Sequence, residues 1–381
     1  MTNSNPGLFG TQPAVNSSGT LTYTPATNQY GTATLNVTLT NSFTGLGVTH
    51  SFSLSVVGTP TAAPDYYVVN TSGGSSASSA QGVLANDTNP NSGMTMYANM
   101  VSGPAHGGLT LNSDGSLTYT PNGGFQGVDS FTYQDQVGPA LGNTVTVTVY
   151  SHGGSLVAKM YQQMLGRAAS SSDIGYWAPS VDSNPLNIAS VDQGVYNSAE
   201  YENPKVTSWF NGFLGRGPSG SDLSYWEGQW VSYESPEQVI IAVASTQESF
   251  NYAQTQYHYG DQNENWVSLI YPVILNRSAD SGALSYFTGQ LDGNSMTRAQ
   301  VVQALVYSNE YRDDVIQSFF QTLLMRSASQ SDINYYQGLM ANNGYTQLHI
   351  QQSIPSVAEY LNNPAAPSSG VAAPWIGPGT Y

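Results

Sequence analysis

The chain has 381 residues, more than one ordinary domain needs, and no cysteine, which excludes a disulfide framework, a thiolate metal site and a cysteine nucleophile. Eight basic residues against 24 acidic ones give a formal net charge of −16, a balance that disfavours nucleic acid and anionic membrane as partners. No run approaches the roughly 18 apolar residues of a membrane span, so no membrane insertion is expected, and the opening Met1-Thr2-Asn3-Ser4-Asn5-Pro6 lacks the basic and apolar regions of a signal peptide.

Charge is unevenly spread. The first basic residue is Lys159, and the first 150 residues hold five acids: Asp65, Asp87, Asp114, Asp129 and Asp135. Such a shift predicts two structural classes in one chain. In the first part, Gly19-Thr20-Leu21-Thr22-Tyr23-Thr24-Pro25 alternates apolar and polar residues, the period of a half-buried strand. Gly115-Ser116-Leu117-Thr118-Tyr119-Thr120-Pro121 repeats it, with Asp114-Gly115 as a hairpin signal. Each unit closes on another alternating run, Ser51–Val57 and Thr144–Val149, and Gly58–Pro64 reads as the link between them. Short strands with Gly, Pro, Asn and Asp turns predict an immunoglobulin-like sandwich repeat.

Here the residues carry a family resemblance. Asp65-Tyr66-Tyr67, Gly82-Val83-Leu84-Ala85-Asn86-Asp87, Pro104-Ala105-His106-Gly107, Asp114–Pro121 and Phe125–Tyr133 follow one another as in bacterial cadherin-like tandem repeats. The resemblance implies a secreted or surface protein and makes Asp65, Asp87 and Asp129 candidate calcium ligands, carboxylates being hard oxygen donors. Turn chemistry is the competing role for the same acids. Residues 5–57 resemble the later strands of a sister repeat. Its opening strands are expected either in a longer protein or from another chain.

From residue 156 the spacing becomes helical, and one pattern recurs four times. Arg167, Arg216, Arg277 and Arg326 each stand nine and ten residues before an aromatic pair: Tyr176-Trp177, Tyr225-Trp226, Tyr286-Phe287 and Tyr335-Tyr336. Glu200, Glu248, Glu310 and Glu359 follow 32 or 33 residues after each Arg. Helix-capping residues recur as well: Ser170, Ser219, Asp280 and Ser329, then Asn187, Ser235, Thr297 and Thr346. Each repeat is therefore predicted to hold three helices, one ending at the Arg, one carrying the aromatic pair and one ending at the Glu. The Leu-Gly-Arg, Tyr-Trp and Ser-x-Glu-Tyr signatures resemble a helical repeat domain of unknown function of secreted bacterial proteins, itself distantly similar to the phycobilisome linker domain. Asn276 and Met325 replace the glycine before Arg in repeats three and four.

An anion closing a helix needs a partner, so the pairs Arg167–Glu200, Arg216–Glu248, Arg277–Glu310 and Arg326–Glu359 are predicted as bridges inside each repeat. If partly buried, loss of one partner would cost about 3–5 kcal/mol. Trp177 and Trp226 are candidates for sugar stacking or, more simply, core anchors.

The predicted architecture is multidomain β plus α: a partial immunoglobulin-like sandwich (1–58), a cadherin-like sandwich (59–150) and an all-α domain of four three-helix repeats (151–362), then a tail (363–381). The repeats span about 156–206, 207–255, 264–315 and 316–362. The five histidines share no metal-ligand spacing, and no nucleophile elbow or phosphate loop is present, so no enzyme is expected. No cofactor is certain, calcium being the candidate. The expected function is that of a structural subunit of an extracellular bacterial assembly, a surface layer, sheath or filament that self-associates. The alternative is a non-polymerising adhesin module that binds glycans or matrix.

Overall fold

The computed structural model describes residues 1–361 except Asn70, Ser72, Glu234, Asn343, Gly344 and Val357, so the predicted tail lies outside the described residues. The described chain divides into two compact units, Met1–His152 and Gly153 onward. The first is all β and the second helical, the β-then-α order expected from composition.

In the first unit, β1 (Thr2–Asn3), β2 (Phe9–Val15), β3 (Leu21–Pro25), β4 (Gly31–Thr40) and β5 (Gly47–Val56) form a three-stranded sheet in the order β1-β4-β5 and a β2-β3 ribbon. Their core is small: Leu8, Phe9, Ala33 and Leu35, with Leu21, Leu54 and Val56 against it. The second sandwich uses β6 (Asp65–Val69), β7 (Ser75–Ala77), β8 (Tyr97–Ser102), β9 (Gly107–Leu111), β10 (Leu117–Pro121), β11 (Val128–Val137) and β12 (Ala140–Ser151). They pair in the orders β7-β10-β9 and β6-β12-β11-β8, with β6 parallel to β12. The Asp114-Gly115 signal does mark a hairpin: Gly115 has φ 83° and lies between β9 and β10, which pair antiparallel. Alternation sends Phe131, Tyr133, Val145, Val147 and Val149 into the core of this sandwich. The link at Gly58–Pro64 is held by asparagine amides that copy backbone pairing. Gly58 N–H donates to Asn91 Oδ1 at 2.7 Å and Asn91 Nδ2 donates to Gly58 O at 2.8 Å. Asn143 clamps Ala62 in the same way, at 3.0 Å in both directions.

The helical unit runs through α1 (His152–Leu165), α2 (Ser171–Ser183), α3 (Ile188–Tyr196), α4 (Ala199–Leu214), α5 (Gly220–Tyr233), α6 (Pro236–Ala244) and α7 (Gln247–Gln256). It continues with α8 (Gln262–Leu275), α9 (Ser281–Asp292), α10 (Arg298–Val306), α11 (Asn309–Phe319), α12 (Gln330–Asn342), α13 (Gln347–Ser353) and α14 (Ala358–Leu361). Its core is dense in large side chains, with Trp230 stacked on Trp209 at 5.6 Å and Trp266 fully buried. Among the described residues no helix is long and apolar enough to cross a membrane.

The repeat unit differs from the expected one in phase. The third helix of a repeat stops before the Glu, at Tyr196, Ala244 or Val306. Ser198, Thr246 and Ser308 then cap a new helix, each accepting from the backbone N–H three residues on. Glu200, Glu248 and Glu310 thus occupy first turns, where an anion suits the helix dipole, and do not close a helix. Of the expected second caps, Thr297 and Thr346 form capping boxes, whereas Asn187 and Ser235 make no side-chain cap bond.

Candidate functional site

The β4–β5 ribbon is the most exposed regular structure of the first unit. Its ten residue pairs run from Gly31↔Val56 to Thr40↔Gly47 without a bulge. One face is polar and internally satisfied: Thr32 with Ser55 at 3.1 Å, Ser51 Oγ to Asn36 Oδ1 at 2.6 Å, Thr38 with Thr49 at 2.8 Å. The other face carries Ala33, Leu35, Val37 and Leu39 opposite Leu54, Phe52, His50 and Val48. Only its first half covers the core. Leu35 is fully buried, but Leu39 is 80% and Val48 62% exposed, and the turn adds Phe43 and Leu46. Among the described residues β1 pairs with β4 only at Asn36 and Leu35, and β5 pairs with nothing but β4. The ribbon therefore presents an open strand edge and an uncovered apolar strip. None of the first 64 residues is Asp, Glu, Lys or Arg, so no charge guards that edge.

The candidate calcium ligands do not form one site. Asp129 is structural. Its carboxylate accepts from Tyr119 hydroxyl at 2.8 Å and from the N–H groups of Ala105, His106 and Ser130 at 2.8–3.0 Å. Asp65 and Asp87 gather instead with Asp135, whose carboxyl lies against that of Asp87. The strand period explains the substitution: Asp129 and Asp135 both fall on the inward face of β11, six residues apart. Asp87 accepts from Ala63 N–H at 2.7 Å and lies 2.8 Å from Tyr133 hydroxyl. Asp65 Oδ2 and both Asp135 oxygens are buried without a donor. The cluster has more acceptors than donors, and protons make up the deficit. Burial first, and then the neighbouring Asp87, pushes Asp65 up to about 8 and Asp135 up to about 7. Among the described residues no group of three or more His, Asp or Glu side chains is placed to hold a metal ion. The donor set of Asp65, Asp87 and Asp129 thus does not fit calcium.

In the helical unit the structure brings every Arg to its Glu. Arg216 Nε donates to Glu248 Oε1 at 2.5 Å and Nη2 to Oε2 at 3.1 Å; Arg326 meets Glu359 at 2.7 and 2.9 Å. Arg167–Glu200 and Arg277–Glu310 have the same two-pronged form. Each Arg also reaches a carboxylate at the next helix start, Asp173, Asp222 or Asp332 at 3.2 Å. Repeat three has Ala283 at that place, and the N-cap Asp280 stands in at 3.7 Å. An aromatic six residues before each Arg, Tyr161, Phe210, Tyr271 or Phe320, lies under the guanidinium at 4.8–5.5 Å. These guanidiniums are thereby engaged on both edges and one face, which leaves little for a ligand. The bridges join the end of one repeat to the first turn of the next, and their side chains are 39–47% exposed. A cost of 3–5 kcal/mol belongs to buried pairs, so it does not apply.

The aromatic pairs split by role. Tyr176, Tyr225, Tyr286 and Tyr335 are 57–75% exposed, each edge-on to its neighbour at 4.8–5.1 Å. Trp177 and Trp226 are half-buried. Trp177 donates to Tyr161 hydroxyl at 3.2 Å and lies so close to Gly194 that a Cβ there would meet its ring at 2.7 Å. Neither its edge nor its inner face is open for sugar stacking.

Comparison with known proteins agrees with this division. Residues 59–153 match the bacterial cadherin-like domain, a module of extracellular, surface or adhesion type. Residues 249–315 match a domain of unknown function, DUF4214, a span that runs from α7 to α11. No curated protein matches the chain. Among solved structures, endo-fucoidan hydrolases MfFcnA4 and MfFcnA9 of glycoside hydrolase family 107 are similar at 20% and 18% identity, over 39% and 36% of this chain. The similarity covers 23% and 25% of those chains, so this chain spans about a quarter of their length. Both TM-scores are 0.21, too low to carry an argument.

Proposed function

We propose that this protein is a structural module of an extracellular bacterial surface that works by binding copies of itself, without catalysis. The observation that carries the reading is the β4–β5 ribbon: an open strand edge beside an apolar strip, in a segment free of charged side chains. Natural edge strands are usually guarded by Lys, Pro or a bulge, and β5 has none of these. A second copy suits the surface because the chain is strongly acidic elsewhere. Two copies meeting along residues 31–56 bring together the part of each that carries no negative charge. The cadherin-like match supports the extracellular setting. In this reading a surface layer, sheath or filament is the kind of assembly served.

Sedimentation velocity over a concentration series tests it. The wild-type chain is expected to self-associate. Leu39→Lys combined with Val48→Lys, at positions already exposed, is expected to leave it monomeric with an unchanged melting temperature. A monomeric wild-type chain at every concentration would refute the proposal.

A further inference from the structure

The helical unit holds a cavity of about 500 Å³ at the start of α6, the α10–α11 junction and the connection from α12 to α13. Its size is that of a small-ligand site. Glu237, on the first turn of α6, is 3% exposed yet lines it. Its carboxylate is positioned by donors: Ser235 Oγ donates to one oxygen and Gln347 Nε2 to the other, the second at 2.7 Å. Ser235 gives its hydroxyl to Glu237 and leaves its own helix start uncapped. Burial raises the Glu237 carboxyl above the usual range. Across the cavity stands Arg312, whose Nε is buried and donates to no described acceptor. Arg312 and Glu237 lie within electrostatic reach of one another. Tyr307 and Tyr345 line the same space, each 37% exposed, and Gln238 Nε2 donates to the Tyr307 hydroxyl at 2.9 Å.

This lining combines an unused guanidinium donor, fixed carboxylate and hydroxyl acceptors, and two aromatic rings. A sugar ring matches all three. Its hydroxyls both give and accept hydrogen bonds, and its C–H face packs on an aromatic ring. Glu237 offsets Arg312, and the whole chain is acidic, so an anionic ligand gains little here. We propose that this cavity binds a neutral sugar unit of a glycan, at a site separate from the Trp177 and Trp226 positions and independent of self-association.

The test is saturation-transfer NMR on the full chain with glucose, galactose, mannose, N-acetylglucosamine, lactose and cellobiose, and with glucuronate as the anionic comparison. At least one neutral sugar is expected to bind with a Kd of about 1 mM or tighter. Tyr345→Ala and Arg312→Met are each expected to weaken it about tenfold with helical content unchanged. If Arg312→Met fails to fold, Tyr345→Ala, at a partly exposed position, decides alone. No binding by any neutral sugar, binding by glucuronate alone, or unchanged affinity in Tyr345→Ala would each overturn the proposal.

Discussion

Arg167 and Glu200, 33 positions apart, meet in a two-pronged ion pair, with Arg167 Nε 2.5 Å from Oε1 and Nη2 2.8 Å from Oε2. The pair joins the loop after α1 to the first turn of α4, so it fastens one repeat to the next. Three further pairs do the same, and their exposure sets what each contributes. Arg216→Met is expected to lower stability by about 1 kcal/mol, in keeping with an exposed pair supported by Asp222, and 1 M salt is expected to shrink the difference. Urea denaturation of wild type and variant measures it, and a loss above about 3 kcal/mol would contradict an exposed bridge.

The residue before each Arg adopts a left-handed backbone: Gly166 and Gly215 at φ 68°, Asn276 at 51° and Met325 at 55°. Glycine tolerates this conformation and methionine does not. Met325→Gly is expected to stabilise the helical unit by about 0.5–1 kcal/mol. Gly215→Ala is expected to cost more than Gly166→Ala, because a Cβ at 215 would lie 2.1 Å from the Tyr252 ring and one at 166 meets open space. Melting curves of the three variants give the order.

The buried acids of the second sandwich set a pH dependence. Asp65 and Asp135 have folded values of about 8 and about 7, raised above the ordinary carboxylate range. The folded state thus holds protons that the unfolded chain releases. Their contribution is complete below about pH 4 and is lost as pH rises toward 8. The β unit is expected to melt lower at pH 8.5 than at pH 5.5. Asp135→Asn is expected to flatten that slope and raise the melting temperature at pH 8.5. A calorimetric pH series checks both.

Asp129 is expected to be among the least replaceable residues of the β unit. Asp129→Ala leaves the Tyr119 hydroxyl and the N–H groups of Ala105 and His106 without their acceptor, at a cost of roughly 3 kcal/mol. Calcium and chelator are expected to leave the wild-type melting temperature unchanged, and a rise with millimolar calcium would show a cation among the acids after all.

What the sequence by itself determined is local and repetitive. Period-two alternation marked the strands, Asp114-Gly115 marked a hairpin, and a fixed spacing linked each Arg to its Glu. These signals survive because backbone geometry and helix spacing act over a few residues, and four copies of one pattern average out its exceptions. The tertiary structure decided the rest. It put Asp135 beside Asp65 and Asp87 and took Asp129 elsewhere, because partners across a sandwich depend on strand register. It placed the Glu residues at helix starts, since a Ser or Thr two residues earlier can end one helix and begin another within three residues. It showed which aromatic of each pair faces solvent, a matter of helix rotation against its neighbours. The Glu237–Arg312 cavity joins residues 75 positions apart with no repeated spacing. Only packing of α6 with the later helices creates it.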